Sequence, residues 1–539
     1  MEVTPETFEN LPFSKLFKDY INGNEEILRF FTTGLPDRKV LSEYCHEFSF
    51  TGDREHITDL LLDFNQTFSP SDRTIREIES LRDPDTVAVV TGQQVSLFGG
   101  PLFTIYKTIT AILTAKNIEA DTGRKVVPVF WLADEDHDIE EVSAVKLFQA
   151  DTTDEFTYKH KDYQYHPPAA GNIHLGDEFV RFEKKVEEQL DETDFTDRLL
   201  NELRKYYTPE QTFAQSFGRW LLSIFEDDGL ILAGNNHKKI KEFTKDVFIT
   251  AVDHQNEISN LLDDTTYNLI DAGYHGQVDV NPSNLFYFDD NGRRIKIHFE
   301  DDKWRIPDKD WNSAELIAEI DSDPERFSPN VFLRPVIQDH LLPVIGYVGG
   351  PGEIAYYAQM KEIYPVFDKQ MPPIIPRFSL TLIESAIDRI LGELPFEWTD
   401  YQQRIEDLEQ NYIEKTEEHD VEKMFTVWQN HIEELSRVKK QQISEIDPTL
   451  AGSVGKATAA YFNELEKVKG KVYRSMKKQD QIQIDRIMRI KQNLFPNGNL
   501  QEREIAFVYY MNRYGLNIWD YLMDALQDEE PFSHKMIWL

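Results

Sequence analysis

The stretch Thr86–Lys116, TVAVVTGQQVSLFGGPLFTIYKTITAILTAK, constrains the fold more than any other part of the chain. Val87–Val90 is a short, mostly β-branched apolar run, which suits a strand buried on both faces of a parallel sheet. A loop follows with Thr91, Gly92, Gln93 and Gln94, and then the pair Gly99–Gly100. Pro101 fits a first helical turn, where its missing N–H would have had no partner. Behind it Leu102, Ile105, Ile109, Ile112 and Leu113 recur at helical spacing. Strand, glycine-bearing loop and helix form the opening unit of a doubly wound α/β domain, and the helix N-terminus offers free N–H groups to an anion. An ordinary βα turn with glycines for tight packing uses the same residues. This stretch is not a dinucleotide G-x-G-x-x-G, nor a P-loop, since no Gly-Lys-Ser/Thr follows.

With 539 residues the chain builds more than one domain. Lys+Arg 58 against Asp+Glu 96 gives a formal net charge of -38, which disfavours nucleic acid and anionic membranes as partners. Cys45 is the one cysteine, so an internal disulfide and a multi-cysteine zinc site are excluded, and its expected place is in a core. The first residues show no signal-peptide pattern and no run approaches twenty apolar residues. The expectation is a soluble, cytoplasmic protein.

Residues 1–80 read as a mostly helical segment. The α/β core is expected over 81–394, with strands at Lys125–Ala133, Gly229–Ala233, Val331–Leu333, Pro343–Val348 and Pro373–Pro376. Insertions are expected near 150–210 and 240–325, the latter with a hairpin of Leu285–Phe288 and Ile295–Phe299 around the Asn-Gly turn. Over 395–499 two charged, mostly glycine-free runs, 400–446 and 453–494, flank Asp447–Ser453. Met424, Trp428, Leu435 and Val438 step by threes and fours in the first run, and Val454, Tyr461, Leu465, Val468 and Val472 in the second. This predicts an antiparallel coiled-coil hairpin, an arm that pairs with a second copy to make a homodimer. The aromatic segment 500–539 is expected to dock on the core.

Four constellations could carry chemistry. Thr91–Pro101 offers backbone donors, two amides and a hydroxyl to a phosphate or carboxylate. Trp131–Glu141, WLADEDHDIEE, places Glu135, Asp136 and His137 beyond a strand's carboxyl end, where they could bind a metal, orient an ammonium group or act as general base; a solvated acidic loop is the plain alternative. The segment from Arg334 carries Tyr347, then Gly349, Gly350, Gly352 and Glu353 at a helix start, where the backbone can approach a ligand closely or simply turn tightly. Arg334 suits a phosphate or a structural carboxylate. Pro376–Thr381 adds Arg377 and Ser379. The residues leave the need for a metal open.

VTGQQVSLFGGPLFTIYK, VPVFWLADEDHD, FSPNVFLRPVIQDHLLPVIGYVGGPGEIAYYAQ, PRFSLTLIE and FPNGNLQER together resemble the BshC family, the cysteine-adding enzymes of bacillithiol biosynthesis. The resemblance covers nearly the whole chain. It departs at Asp134, where related chains often have a small residue. It implies a Rossmann-type parallel-sheet core with inserted connecting segments and a dimerising coiled coil. The implied reaction joins L-cysteine to the amine of glucosaminyl-malate. The core is similar to class I adenylate-forming enzymes, which implies ATP as cofactor, yet their H-x-G-H signature is here Phe98-Gly99-Gly100-Pro101, without either histidine. By this resemblance the Thr91–Gly100 and Gly349–Gly352 loops hold phosphate or carboxylate, Arg377 offsets developing charge, and Glu135, Asp136 or His137 holds or deprotonates the amine. The competing expectation is a catalytically silent nucleotide-binding scaffold.

Overall fold

The computed structural model describes residues 2–136, 138–149, 152–161, 168–416 and 420–539. The chain divides into two compact units. One comprises Met1–Gln149, Asp154–Leu382 and Glu502–Leu539; the other is chiefly Ile383–Gln501.

The first unit is built on a five-stranded parallel sheet. Val87–Gln94 lies at its centre and pairs with Val126–Ala133 in unbroken register from Val87↔Val126 to Gln94↔Ala133. Ile231–Gly234 extends the sheet on that side. On the other side Val344–Gly349 and then Ile374–Pro376 complete it. Taken by chain position, the strands stand in the order 3-2-1-4-5 of a Rossmann-type fold. After the third strand the chain crosses to the opposite side of the first. Beyond the carboxyl ends of Val87–Gln94 and Val344–Gly349 the connections therefore diverge and leave a crevice. The long helix Leu102–Thr122 is buried on nearly all sides because its apolar residues are not confined to one stripe. Its Ala111, Ala115 and Ile118 pack with Val87, Val89 and Val348 in a core that also holds Cys45. Burial there pushes the Cys45 thiol pKa up, as for an inert core cysteine.

Several local expectations are corrected. Val331–Leu333 is not a strand. Asn330 Oδ1 accepts from the Phe332 and Leu333 amides at 3.0 and 3.1 Å and turns the chain into the helix Leu333–Leu341. The strand lies just before, at Phe327–Pro329, antiparallel to Leu285–Phe288. The hairpin partner of Leu285–Phe288 is Arg294–Lys296; His298–Glu300 belongs to a separate antiparallel sheet with Lys303–Ile306 and Lys309–Trp311. The first residues are also not helical: Glu2–Glu6 is a strand paired antiparallel with His534–Trp538, Glu2 opposite Trp538. Among the described residues no helix is long and apolar enough to cross a membrane.

The second unit is helical. Each expected long run is split, into Ile405–Thr416 and Val421–Ile446, and into Ala451–Gln479 and Gln481–Leu494. Asp420 caps the second of these helices by accepting from the Lys423 amide. Gln429 bonds Glu466 and Thr458 bonds Ser436, both at 2.8 Å, so Val421–Ile446 and Ala451–Gln479 run antiparallel across the turn at Pro448–Leu450. The seam is left partly open. Leu465 is buried, but Met424, Trp428, Leu435, Val438, Tyr461 and Val468 are between 39% and 54% exposed.

Candidate active site

The crevice begins at Gly92. A Cβ there would lie 2.8 Å from the Trp131 carbonyl oxygen, so close strand pairing at the sheet's end already demands glycine. Thr91 is turned inward and bonds the Val348 carbonyl at 3.0 Å, tying the two switch-point strands together. Lys107, early in the long helix, is almost wholly buried. Its ammonium donates to the Gly92 carbonyl, to Gln93 Oε1 and, at 2.6 Å, to Glu353 Oε2. Burial lowers the Lys107 pKa, opposed by Glu353 and aided by Arg377 and Arg334.

Glu353 also accepts from the Tyr347 hydroxyl at 2.6 Å and from the Gly350 amide at 2.8 Å. The start of the helix Pro351–Tyr357, where the sequence suggested a ligand anion, is thus capped by the protein's own carboxylate. Gly350 has φ -81, so no left-handed backbone requires a glycine there. Asp136 lies between Arg294, at 2.9 Å, and Arg334, at 3.3 Å. Arg294 is held in turn by Ser328, the Pro329 carbonyl and the ring of Phe286. Arg377 grips Glu502 with both Nη atoms, at 2.6 and 3.0 Å. Burial opposes the charge of Glu502, but Arg377 outweighs it and holds the carboxyl below its usual range. Ser379 bonds Glu502 and His534, whose imidazole also meets Thr381 at 2.9 Å.

Some of these groups line a cavity of about 370 Å³. Of the residues singled out from the sequence, Gly92, Gln93, Gln94, Asp136, Arg334 and Tyr347 line it, as do Gly350, Gly352, Glu353 and Arg377. The others do not. Thr91, Gly349 and Ser379 lie in the sheet or behind Arg377. Glu135 is turned away into a buried pair with Lys241 at 2.7 Å, supported by Asn235. Beside it, burial and the Glu135 charge raise the Asp134 pKa to about 7. Gly99 and Gly100 have φ of 87° and 71° and need glycine for that reason. Their loop packs away from the cavity, with Phe98 against Phe179, Phe182 and Tyr207. His137 lies outside the described residues.

Sequence reasoning missed Lys107, Glu141, Trp131, Tyr356 and Arg503, all of which line the cavity. Lys107 had a readable signal, a cation set among the apolar residues of the helix's first turns. Arg503 had none beyond the resemblance at FPNGNLQER, since its place depends on a segment far along the chain. Arg334 and Asp136 also face an adjoining chamber of about 400 Å³ with Arg294, Lys296, Asn281 and Asn330. Such an arrangement can hold anionic and ammonium groups side by side. Among the described residues no group of three or more His, Cys, Asp or Glu is placed to hold a metal ion.

Residues 1–378 match the family model described as "Bacillithiol biosynthesis BshC, N-terminal Rossmann-like domain", and 380–539 match its C-terminal coiled-coil domain. A relative from Salinibacter ruber, named "Putative cysteine ligase BshC", is 35% identical over 97% of this chain and 96% of its own length. Relatives of the same name from Chloroherpeton thalassium and Geobacillus thermodenitrificans are 33% and 30% identical, each matched over 97% or more of both chains. Sheet order, crevice and sequence agree, and the chain belongs to the BshC family.

Proposed function

We propose that this protein is an amide-forming ligase that joins L-cysteine to the glucosamine amine of glucosaminyl-malate, giving bacillithiol, with ATP activating the carboxylate. The observation that carries the reading is convergence. Residues from segments far apart in the chain, among them Asp136, Arg334, Gly350 and Arg377, meet in one cavity at the sheet's switch point.

ATP would supply the leaving group that a free carboxylate lacks. The residues do not match the phosphate cradle implied by likeness to adenylate-forming enzymes, because Phe98–Pro101 packs among aromatic side chains outside the cavity. The roles assigned here therefore belong to the chain's own groups. Asp136, fixed by two guanidinium groups, orients the acceptor's ammonium. Glu141, whose pKa is raised by partial burial and by Asp138, takes the proton the amine must lose before it attacks. Arg334 and Arg377, each still paired with its own carboxylate, stabilise through space the negative charge developing on the carbonyl oxygen, and Trp131 and Tyr356 supply aromatic walls. The coiled-coil arm, with its exposed apolar residues, pairs two copies into a homodimer.

Purified protein incubated with cysteine, glucosaminyl-malate and ATP, read by mass spectrometry, tests the reaction. The expected result is a new thiol of the amide's mass that disappears when ATP is omitted. Ligand binding without product under any nucleotide would favour the scaffold, a reading supported by the displaced Phe98–Pro101 loop.

A further inference from the structure

Four cations line the cavity: Lys107, Arg334, Arg377 and Arg503. Three are committed to carboxylates of the protein, Lys107 to Glu353, Arg334 to Asp136 and Arg377 to Glu502. A ligand anion that recruited one of these would compete with an ion pair already made inside the protein, a costly exchange. Arg503 differs. It is exposed, and among the described residues no carboxylate lies within ion-pair distance of it; Glu141 feels its charge only from farther off.

The backbone that presents Arg503 is fixed on both sides. Glu502, immediately before it, is fully buried and also accepts from the Leu380 amide at 2.9 Å. Glu504, immediately after, pairs with Lys146 at 2.8 Å. The Ile505 carbonyl accepts from the Leu102 amide at 3.0 Å, which ties this segment to the start of the long helix. A guanidinium on so rigid a base, with its fork open to the cavity, suits two-point capture of a carboxylate.

We propose that Arg503 is the anion-binding residue of this cavity and that it takes a carboxylate of the acceptor substrate. The assignment rests on the reading of the cavity as the active site. The reacting carboxylate of cysteine must lie among the buried groups, close to the amine it joins. Arg503 stands at the exposed edge, where the acceptor's dicarboxylate end, remote from that amine, comes to rest.

Isothermal titration of wild type, Arg503→Gln and Arg503→Lys with glucosaminyl-malate, L-cysteine and ATP tests this, alongside KM and kcat. Arg503 is exposed, so both variants are expected to melt like wild type. Arg503→Gln should weaken glucosaminyl-malate at least tenfold while cysteine changes less than twofold, and KM for the acceptor should rise with kcat nearly kept. Arg503→Lys should fall between, retaining charge without the fork. Unchanged acceptor affinity in Arg503→Gln overturns the assignment and leaves the active-site reading standing. A loss confined to ATP overturns it in favour of a phosphate site. If wild type binds none of the three, both the assignment and the active-site reading fail.

Discussion

Glu502 accepts four hydrogen bonds in a fully buried position, two from Arg377, one from the Ser379 hydroxyl and one from the Leu380 amide. Glu502→Gln keeps the shape but leaves the buried guanidinium without its counter-charge, so a loss of about 3–5 kcal/mol is expected in urea unfolding. A variant within about 1 kcal/mol of wild type would show that water reaches Arg377 more freely than the packing implies. Gly350 acts on binding instead. A Cβ there would sit 3.4 Å from Glu353 Oε2 and 3.6 Å from Arg377 Nε, ordinary contact distances. Alanine should be tolerated, whereas the branched side chain of Gly350→Val fills space beside both charges. A tenfold loss of ligand affinity, about 1.4 kcal/mol, is expected by calorimetry for Val alone. Glu353 and Arg377 were legible as polar residues beyond strand ends. That Glu353 serves Lys107, and that Arg377 serves Glu502, was not, because those partners come from distant segments brought together only by the fold.

At the scale of elements, buried parallel strands are readable because both faces are apolar. Lys125–Ala133 and Pro343–Val348 match the observed strands to within a residue at each end, while Val87–Val90 continues to Gln94 through polar residues that pair with Leu132 and Ala133. Val331–Leu333 misled because its apolar composition fits strand or helix, and the deciding hydrogen bonds come from the Asn330 side chain. The strand His534–Trp538 owes part of its anchorage to a neutral histidine. Burial pushes the His534 pKa down to about 4, with Glu502 opposing and Arg377 assisting. The unfolded chain takes up this proton near pH 6.5, before the folded one does. His534 therefore costs no stability above about pH 6.5 and a growing amount as pH falls toward 4. Melting temperature measured against pH should decline over that window in wild type and decline less in His534→Gln. Equal slopes would assign the acid sensitivity to other groups.

On the scale of the whole molecule, the helical unit Ile383–Gln501 interrupts the first unit between Leu382 and Glu502. The two ends of the interruption are close, since the Leu380 amide donates to Glu502. Replacing 383–501 with a short Gly/Ser linker is therefore expected to leave a folded first unit, and a monomeric one if the coiled coil makes the dimer. Light scattering checks this, and a persistent dimer would place the interface on the first unit. Truncation from about 395 onward would instead remove Glu502, Arg503 and the last strand; the aromatic content of 500–539 pointed to the core without showing that this segment completes the cavity and a sheet. The pairing of Glu2–Glu6 with His534–Trp538 also sets a schedule for synthesis. At about 5–20 residues per second, the first strand waits roughly half a minute to two minutes on the ribosome before its partner is made. An unpaired strand edge is a template for joining another chain, and edges are blunted by charge and by proline. The waiting strand reads EVTPE, with a carboxylate at each end and a proline that donates no hydrogen bond, so it is poorly suited to pair with a neighbouring nascent chain before its own last strand arrives.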